Sequence, residues 1–321
     1  MVNNDRILAT ISMMTYNQEK YVRESLRGML AQTYDPLQIV ISDDHSTDGT
    51  WDIIMEEVDE YKRLGGEHQI LLNRNASNLG IAKHFEKLVS LCNGVLMVCN
   101  AGDDISFPNR VGRIVSAWRD SGARAMVIMH DGVKIDKFGK EIGSVGVRNV
   151  DAPLGACMAY SRKVFLSFEK IVEEGCFEDH VYGRRGALLG EVLVINDKLV
   201  KYRVGSGVSS VLHDRRAPEL RSAVGRLASF KQSMIDLKYM RKKSKIDEDR
   251  YEKLYERYDQ YIVKLSNLLE LIGGATFLRR WKAYKNLYVS ARSWKQGMLR
   301  LPYLLPQKLG DYVYKIHDMW R

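Results

Sequence analysis

Short apolar runs recur through the first hundred residues: Ile7 to Met14, Leu37 to Ser42, Gln69 to Leu72 and Val95 to Val98. Runs of this length bounded by polar turns predict buried strands. Between the first two, Val22, Leu26, Met29 and Leu30 fall on one helical face, and Asn17 stands where an N-cap is expected. Behind the second run, Trp51, Ile54, Val58 and Tyr61 repeat the helical spacing after the cap candidates Ser46, Thr47 and Asp48. A third helix is expected over Ile81 to Leu91. Strands alternating with helices of this length predict an α/β fold, built of βαβ units with a mostly parallel sheet and right-handed crossovers.

The middle of the chain is less regular. Ala125 to His130 and Val192 to Ile195 read as strands, Arg162 to Glu173 and Asp179 to Leu189 as helices, and DKFGKE as a turn. Gly183, Gly186, Gly190, Gly205 and Gly207 predict tight backbone approaches or loops near a ligand. Beyond Pro218 the pattern is helical. Tyr251, Leu254, Tyr258, Tyr261, Leu265, Leu268 and Ile272 step by three and four, a heptad seam. Ser244 to Asp247 resembles a capping box before it, and Gly273-Gly274 stops it. Such a seam must be buried. Its tyrosine hydroxyls need partners, which favours packing within a helical subdomain and leaves room for a homodimer as well.

The 321 residues divide at the change in charge. Residues 215–321 hold 24 Lys and Arg against 11 Asp and Glu, whereas residues 1–214 hold 25 against 29. Two domains are expected, 1–214 and 215–321, the second with an anionic partner. Its second amphipathic stretch interleaves Trp281, Tyr284, Tyr288 and Trp294 with Arg279, Arg280, Lys282, Lys285, Arg292 and Lys295. Leu301, Tyr303, Leu304, Leu305 and Trp320 extend that surface. An amphipathic basic helix of this kind suits an anionic membrane surface. Cys92, Cys99, Cys157 and Cys176 form no C-x-x-C pair, which predicts buried thiols in a reducing compartment. The N-terminus lacks the pattern of a signal peptide, and no apolar run reaches the roughly 18 residues of a membrane span.

In an open parallel sheet, ligands bind beyond the carboxyl ends of the strands. The first strand ends in Thr15-Tyr16-Asn17, the second in SDDHSTDG from Ser42, and the fourth in NAGDD from Asn100. No G-x-G-x-x-G follows the first strand and no P-loop occurs anywhere, which argues against dehydrogenase and NTPase chemistry. What remains is rich in carboxylates. Two acidic clusters at neighbouring strand ends are compensated most simply by a divalent cation.

ISMMTYNQEKYVRESLRGMLAQTY, IVISDDHSTDGTWDII, NASNLGIAKHFEKL and VCNAGDDISFPNRV together resemble the family 2 glycosyltransferases of GT-A fold, in particular bacterial enzymes of O-antigen and capsule assembly. The likeness runs from about residue 7 to 115 and continues more loosely through EDHVYGRRGALLG at residues 178–190, ending near 214. It implies a Rossmann-like, mostly parallel sheet flanked by helices, here followed by an α-helical C-terminal region. By resemblance, Thr15, Tyr16 and Asn17 lie against the nucleoside, and Asp44 or Asp43 bonds the base. Asn78, Gly80 and Lys83 border the nucleotide. Asp103 and Asp104 stand for the D-x-D that holds Mn²⁺ or Mg²⁺ and the sugar diphosphate. Ala101 replaces the usual first aspartate, so a shifted pair that still binds a cation is expected. Asp179, opening a helix beside Glu178, takes the part of general base in an inverting transfer. His213 completes the metal site or closes over the diphosphate, with Arg215 and Arg216 as alternative diphosphate contacts. His180 takes a structural or acceptor-side place.

The expected activity is metal-dependent, inverting transfer from a UDP-, dTDP- or GDP-sugar to a glycan or lipid-linked glycan in cell-surface polysaccharide synthesis. The expected location is cytoplasmic, peripheral on the inner face of the membrane. Two other readings stand beside it: a non-catalytic sugar-nucleotide binder, and a nucleic-acid binder acting through the basic tail. The absence of any nucleic-acid motif argues against the last.

Overall fold

The computed structural model describes residues 6–205, 216–273, 276–289 and 301–304. Gly207, His213, Arg215, Gly274, Trp294, Leu305 and Trp320 lie outside the described residues. The chain divides into two compact units, Met1–Ile171 with Phe177–Val211, and Val172–Cys176 with Leu212–Arg321.

In the first unit the chain runs β1 (Ala9–Thr15), α1 (Val22–Leu30), β2 (Leu37–Asp43), α2 (Thr50–Arg63), β3 (Gln69–Arg74), α3 (Ile81–Leu91) and β4 (Leu96–Ala101). It continues through β5 (Ile105–Ser106), α4 (Arg110–Asp120), β6 (Ala125–Ile135), β7 (Glu141–Val145), β8 (Met158–Ser161), α5 (Lys163–Leu166), α6 (Glu178–Leu189) and β9 (Glu191–Arg203). The strands form one sheet in the order β3-β2-β1-β4-β8-β6-β9-β5, with β7 on β6. β3, β2, β1 and β4 are mutually parallel, and β8 pairs antiparallel with both β4 and β6. Every residue of β2 is buried, as expected of a parallel strand covered on both faces. One face packs Ile11, Met13, Ile39 and Val98 against Leu26, Ile54 and Ile114 of α1, α2 and α4. The other packs Val40, Cys99, Val127 and Tyr160 against Phe85, Val164 and Tyr182 of α3, α5 and α6. All four cysteines are buried thiols outside any disulfide.

Several local expectations are corrected. Asn17 does not cap α1, whose N-cap is Tyr21. It adopts a left-handed φ of 51° instead, and its Oδ1 accepts the Thr47 N–H at 2.8 Å. The cap position of α2 is Gly49, although Asp48 Oδ1 does accept the Thr50 N–H at 3.0 Å. The helix expected over Arg162 to Glu173 is only the four residues of α5. The Ile171 N–H turns to Glu86 Oε1, and those of Val172 and Glu173 turn to Gln232 Oε1. β6 and β9 extend to 11 and 13 residues because they pair with each other along most of their length. The two acidic strand ends are not neighbours, since β1 lies between β2 and β4.

Gly186 sits in the middle of α6, where a Cβ would stand 2.2 Å from Val127 Cγ2. Glycine therefore lets the helix press directly onto β6. Gly205 follows β9 with a φ of +86°.

The second unit contains α7 (Arg216–Lys242), α8 (Glu248–Gly273) and α9 (Phe277–Tyr284). Tyr251, Tyr258, Leu265 and Ile272, one per heptad, are buried on α8, while Leu254, Tyr261 and Leu268 are half-buried. Phe230 of α7 stacks on Tyr261 at 4.5 Å and meets Tyr258 edge-on at 5.9 Å. The cap of α8 is Asp247, which accepts the Arg250 N–H at 2.9 Å. Ser244 instead makes the turn after α7 with a φ of 52°. Among the described residues no helix is long and apolar enough to cross a membrane.

Candidate active site

At the carboxyl ends of β1 and β4 the first unit opens a cavity of about 250 Å³. The turn after β4 supplies Asp103 and Asp104, the start of α6 supplies Glu178 and Asp179, and the end of β9 supplies Tyr202, Arg203 and Gly205. Gly102 belongs in that turn for a steric reason. A Cβ there would lie 2.5 Å from Thr15 Oγ1 and 2.7 Å from Gln18 Oε1.

Two buried arginines fix this end of the sheet. The Arg203 backbone N–H donates to Asp104 Oδ1 at 2.8 Å, its Nε donates to the Asp103 carbonyl at 3.1 Å, and its Nη2 reaches Glu24 at 2.7 Å. Arg110 is fully buried and donates to Asn100 Oδ1, Ser106 Oγ, the Cys99 and Ala156 carbonyls, and His130 Nε2. Burial and the adjacent guanidinium depress His130 to about 3, which keeps it a neutral acceptor. Burial also lowers Arg110, to about 10.

The carboxyls differ in environment. Asp104 is 2% exposed, and burial, followed by the charge of Asp103, raises its pKa well above the ordinary value. Glu178 is pushed up to about 8 by burial and then by the Asp179 charge. Asp179 is raised by burial too, but N–H groups of His180 and Gly155 and the charge of Arg184 oppose the rise. Glu178 therefore holds a proton at neutral pH, and Asp179 is the one of the two with donors and a guanidinium that favour its anion.

A second cluster lies on the far side of β1. Asp44 Oδ1 accepts from Asn75 Nδ2 and the Leu79 N–H, and Oδ2 accepts from the Gly80 N–H at 3.0 Å. Asn78 Nδ2 reaches the Asp44 carbonyl. Asp43 receives the Ser46 N–H at 2.9 Å and lies 3.5 Å from Arg74. The Asn17 N–H donates to Ser46 Oγ, and the Asp44 N–H to the Thr15 carbonyl. Thr15, Asn17, Asp43, Asp44, Asn78 and Gly80 thus form one hydrogen-bonded group, with Tyr16 exposed beside it. His84, which the sequence reading passed over, meets Ser42 Oγ at 2.8 Å and is kept neutral by burial. Lys83 departs from expectation. It is exposed and lines a separate groove with Lys87, Lys170 and Arg185, not the cavity.

The donors around Asp103 and Asp104 are hard oxygens of the kind Mg²⁺ and Mn²⁺ prefer. Among the described residues, however, no three His, Cys, Asp or Glu side chains gather to hold a metal ion. Asp104 gives one oxygen to Arg203, and His213 lies outside the described residues. Arg203, Arg110 and Tyr202 are site residues that the sequence reading missed. Arg110 lies within VCNAGDDISFPNRV, and Tyr202 and Arg203 close β9, beyond the Val192 to Ile195 run that reads as a strand.

Residues 10–165 match the family described as Glycosyl transferase family 2. The putative glycosyltransferase EpsE of Bacillus subtilis is 29% identical over 130 residues, which cover 40% of this chain and 45% of EpsE. An uncharacterized Mycobacterium tuberculosis protein is 36% identical over 96 residues, 30% of this chain and 26% of that protein. The chain therefore spans between about a quarter and a half of these curated relatives. Among solved structures, S. aureus TarS 1-349 in complex with UDP-GlcNAc has a TM-score of 0.60 at 14% identity, covering 94% of this chain and 82% of that one. Mannosyltransferase PcManGT from Pyrobaculum calidifontis, in complex with GDP-Man and Mn²⁺, has a TM-score of 0.60 at 15% identity, covering 94% and 86%. At these identities the structural likeness concerns the fold.

Proposed function

We propose that this chain, whose residues 10–165 match the Glycosyl transferase family 2 and whose fold is like that of PcManGT, transfers a sugar from a nucleotide-sugar donor with inversion. The observation that carries the reading is the Glu178–Asp179 pair at the start of α6, which lines one cavity with Asp103 and has both carboxyls raised by burial, Asp179 against the donors that oppose the rise. Asp179 takes the acceptor hydroxyl proton. The acceptor oxygen bonds to the anomeric carbon as the bond to the diphosphate oxygen breaks, and the nucleoside diphosphate leaves with the bonding pair. Glu178, protonated, stays neutral beside the anion. Thr15, Tyr16, Asn17, Asp43, Asp44, Asn78 and Gly80 border the nucleoside. Asp103, with Asp104 behind it and His213 as a third candidate, would hold Mn²⁺ or Mg²⁺ together with diphosphate oxygens, and the cation would offset charge on the leaving group.

The acceptor is a glycan or lipid-linked glycan of cell-surface polysaccharide synthesis, and the domains are assigned as 1–214 and 215–321. The second domain holds the enzyme to the cytoplasmic face of the membrane. On α9, Phe277, Leu278 and Trp281 are 63%, 76% and 40% exposed, among Arg279, Arg280 and Lys282, which suits an anionic headgroup layer. Flotation with anionic vesicles at low salt should recover the full chain but not a chain ending near Ile272.

Asp179→Asn should abolish transfer and leave donor binding intact, whereas Asp103→Ala should weaken Mn²⁺-dependent donor binding. Wild-type turnover by Asp179→Asn sinks the mechanism. A second reading, donor binding without turnover, is favoured by Ala101 and by the engagement of Asp104 with Arg203. Donor binding with no transfer to any glycan acceptor would select it.

A further inference from the structure

The floor of the cavity is left unused by every step above. Beneath the carboxylate pair the wall is made by Met14 of β1, Phe85 and Leu88 of α3, and Cys99 of β4. One polar group interrupts it. Tyr160 of β8 lines the same cavity, is 1% exposed, and its hydroxyl has no hydrogen-bond partner among the described residues. A buried donor left unmet is a standing cost, relieved when a polar ligand group arrives. Burial, with Cys99, Asp179 and Glu178 nearby, raises the phenol far above its ordinary value, so it remains a donor at any working pH. Ser12, the other hydroxyl at the floor, is already committed to the Val98 carbonyl.

We propose that this recess receives the acetamido group of an N-acetylated amino sugar, with Tyr160 donating to the amide carbonyl. The assignment deepens the sugar-transfer reading and rests on it. Each part of the group has a complement on the cavity wall. The methyl meets Met14, Phe85 and Leu88; the carbonyl accepts a hydrogen bond from the Tyr160 hydroxyl; the amide N–H has the carbonyl oxygen of the neutral Glu178 carboxyl as acceptor, which leaves Asp179 to the acceptor hydroxyl. A ring hydroxyl in the same place would be desolvated among apolar side chains with half its hydrogen bonds unmade. A deoxy position would leave Tyr160 unmet.

Calorimetric titration of the full chain with matched pairs, UDP-GlcNAc against UDP-Glc and dTDP-GlcNAc against dTDP-Glc, tests this. GDP-mannose completes the series. The N-acetylated member should bind roughly tenfold tighter or better within the pair whose base is accepted. Tyr160→Phe removes only the partnerless hydroxyl, so Tm should hold or rise. It should also remove most of the preference for the N-acetylated member. Equal affinity within the accepted pair, selective binding of GDP-mannose, or a full preference retained in Tyr160→Phe overturns the recess assignment and leaves sugar transfer standing. Binding of no sugar nucleotide overturns the transfer reading itself.

Discussion

Replacing Glu178 with glutamine removes a proton that the folded chain holds and the unfolded chain releases. The unfolded carboxyl titrates near 4.5, and in the fold it is pushed up to about 8. Below the lower value both states are protonated and the group contributes no pH dependence. Between the two values the native state binds more protons, so stability falls as pH rises, and above about 8 the loss is complete. At about 1.4 kcal/mol per pH unit the window sets a ceiling of about 5 kcal/mol. Glu178 is only partly buried by its own surface and shares its charge with Asp179, so solvent screening brings the expected effect to about 2 kcal/mol. The Glu178→Gln variant would keep the shape and lose the titration. Urea unfolding of both proteins should give equal stability near pH 5 and a variant advantage of about 2 kcal/mol near pH 8. His84 and His130, whose pKa values are lowered by burial, titrate in the opposite sense but in both proteins, so they cancel in the difference. A difference that does not change with pH, or a variant that loses ground as pH rises, would refute the reasoning.

Arg110→Leu would take the guanidinium donor from the Cys99 and Ala156 carbonyls and His130, and leave Asn100 Oδ1 with the Ser106 hydroxyl alone. A loss of at least about 3 kcal/mol in urea unfolding is expected, and a loss under about 1 kcal/mol would contradict the role assigned to it. Leu265→Asp sets a charge at a position 3% exposed on α8, which should destabilise the helical unit by about 3 kcal/mol or more. An unchanged calorimetric profile would contradict the burial of that face.

The parallel half of the sheet was legible because its strands are buried on both faces and its helices on one, so each carried its own period. The segment from Arg162 to Glu173 misled because its apolar spacing is helical while its N–H groups bond to Glu86 and Gln232, side chains 85 and 60 residues away. The same limit applies at the site. Acid clusters at strand ends announce themselves locally, but Arg203 bonds Asp104 across 99 residues, and nothing around a single arginine in the sequence reveals that partner. Asn17 had the chemistry of a cap and used it across a gap of 30 residues, on Thr47 instead. Tyr160 is legible only through what fails to reach it.

The close seat of α6 on β6 at Gly186 bears on how such a protein can diversify. Any side chain there collides with Val127, and Arg184 and Arg185 are buried between Tyr182 and Gly186 in the same helix. The helix that presents the acid pair therefore has few positions where sequence drift is neutral. The chain just before β8, which contributes Leu154, Gly155 and Ala156 to the same cavity, holds no buried residue from 148 to 155. Directed evolution toward new acceptors should accumulate its accepted changes in that segment and leave α6 almost untouched.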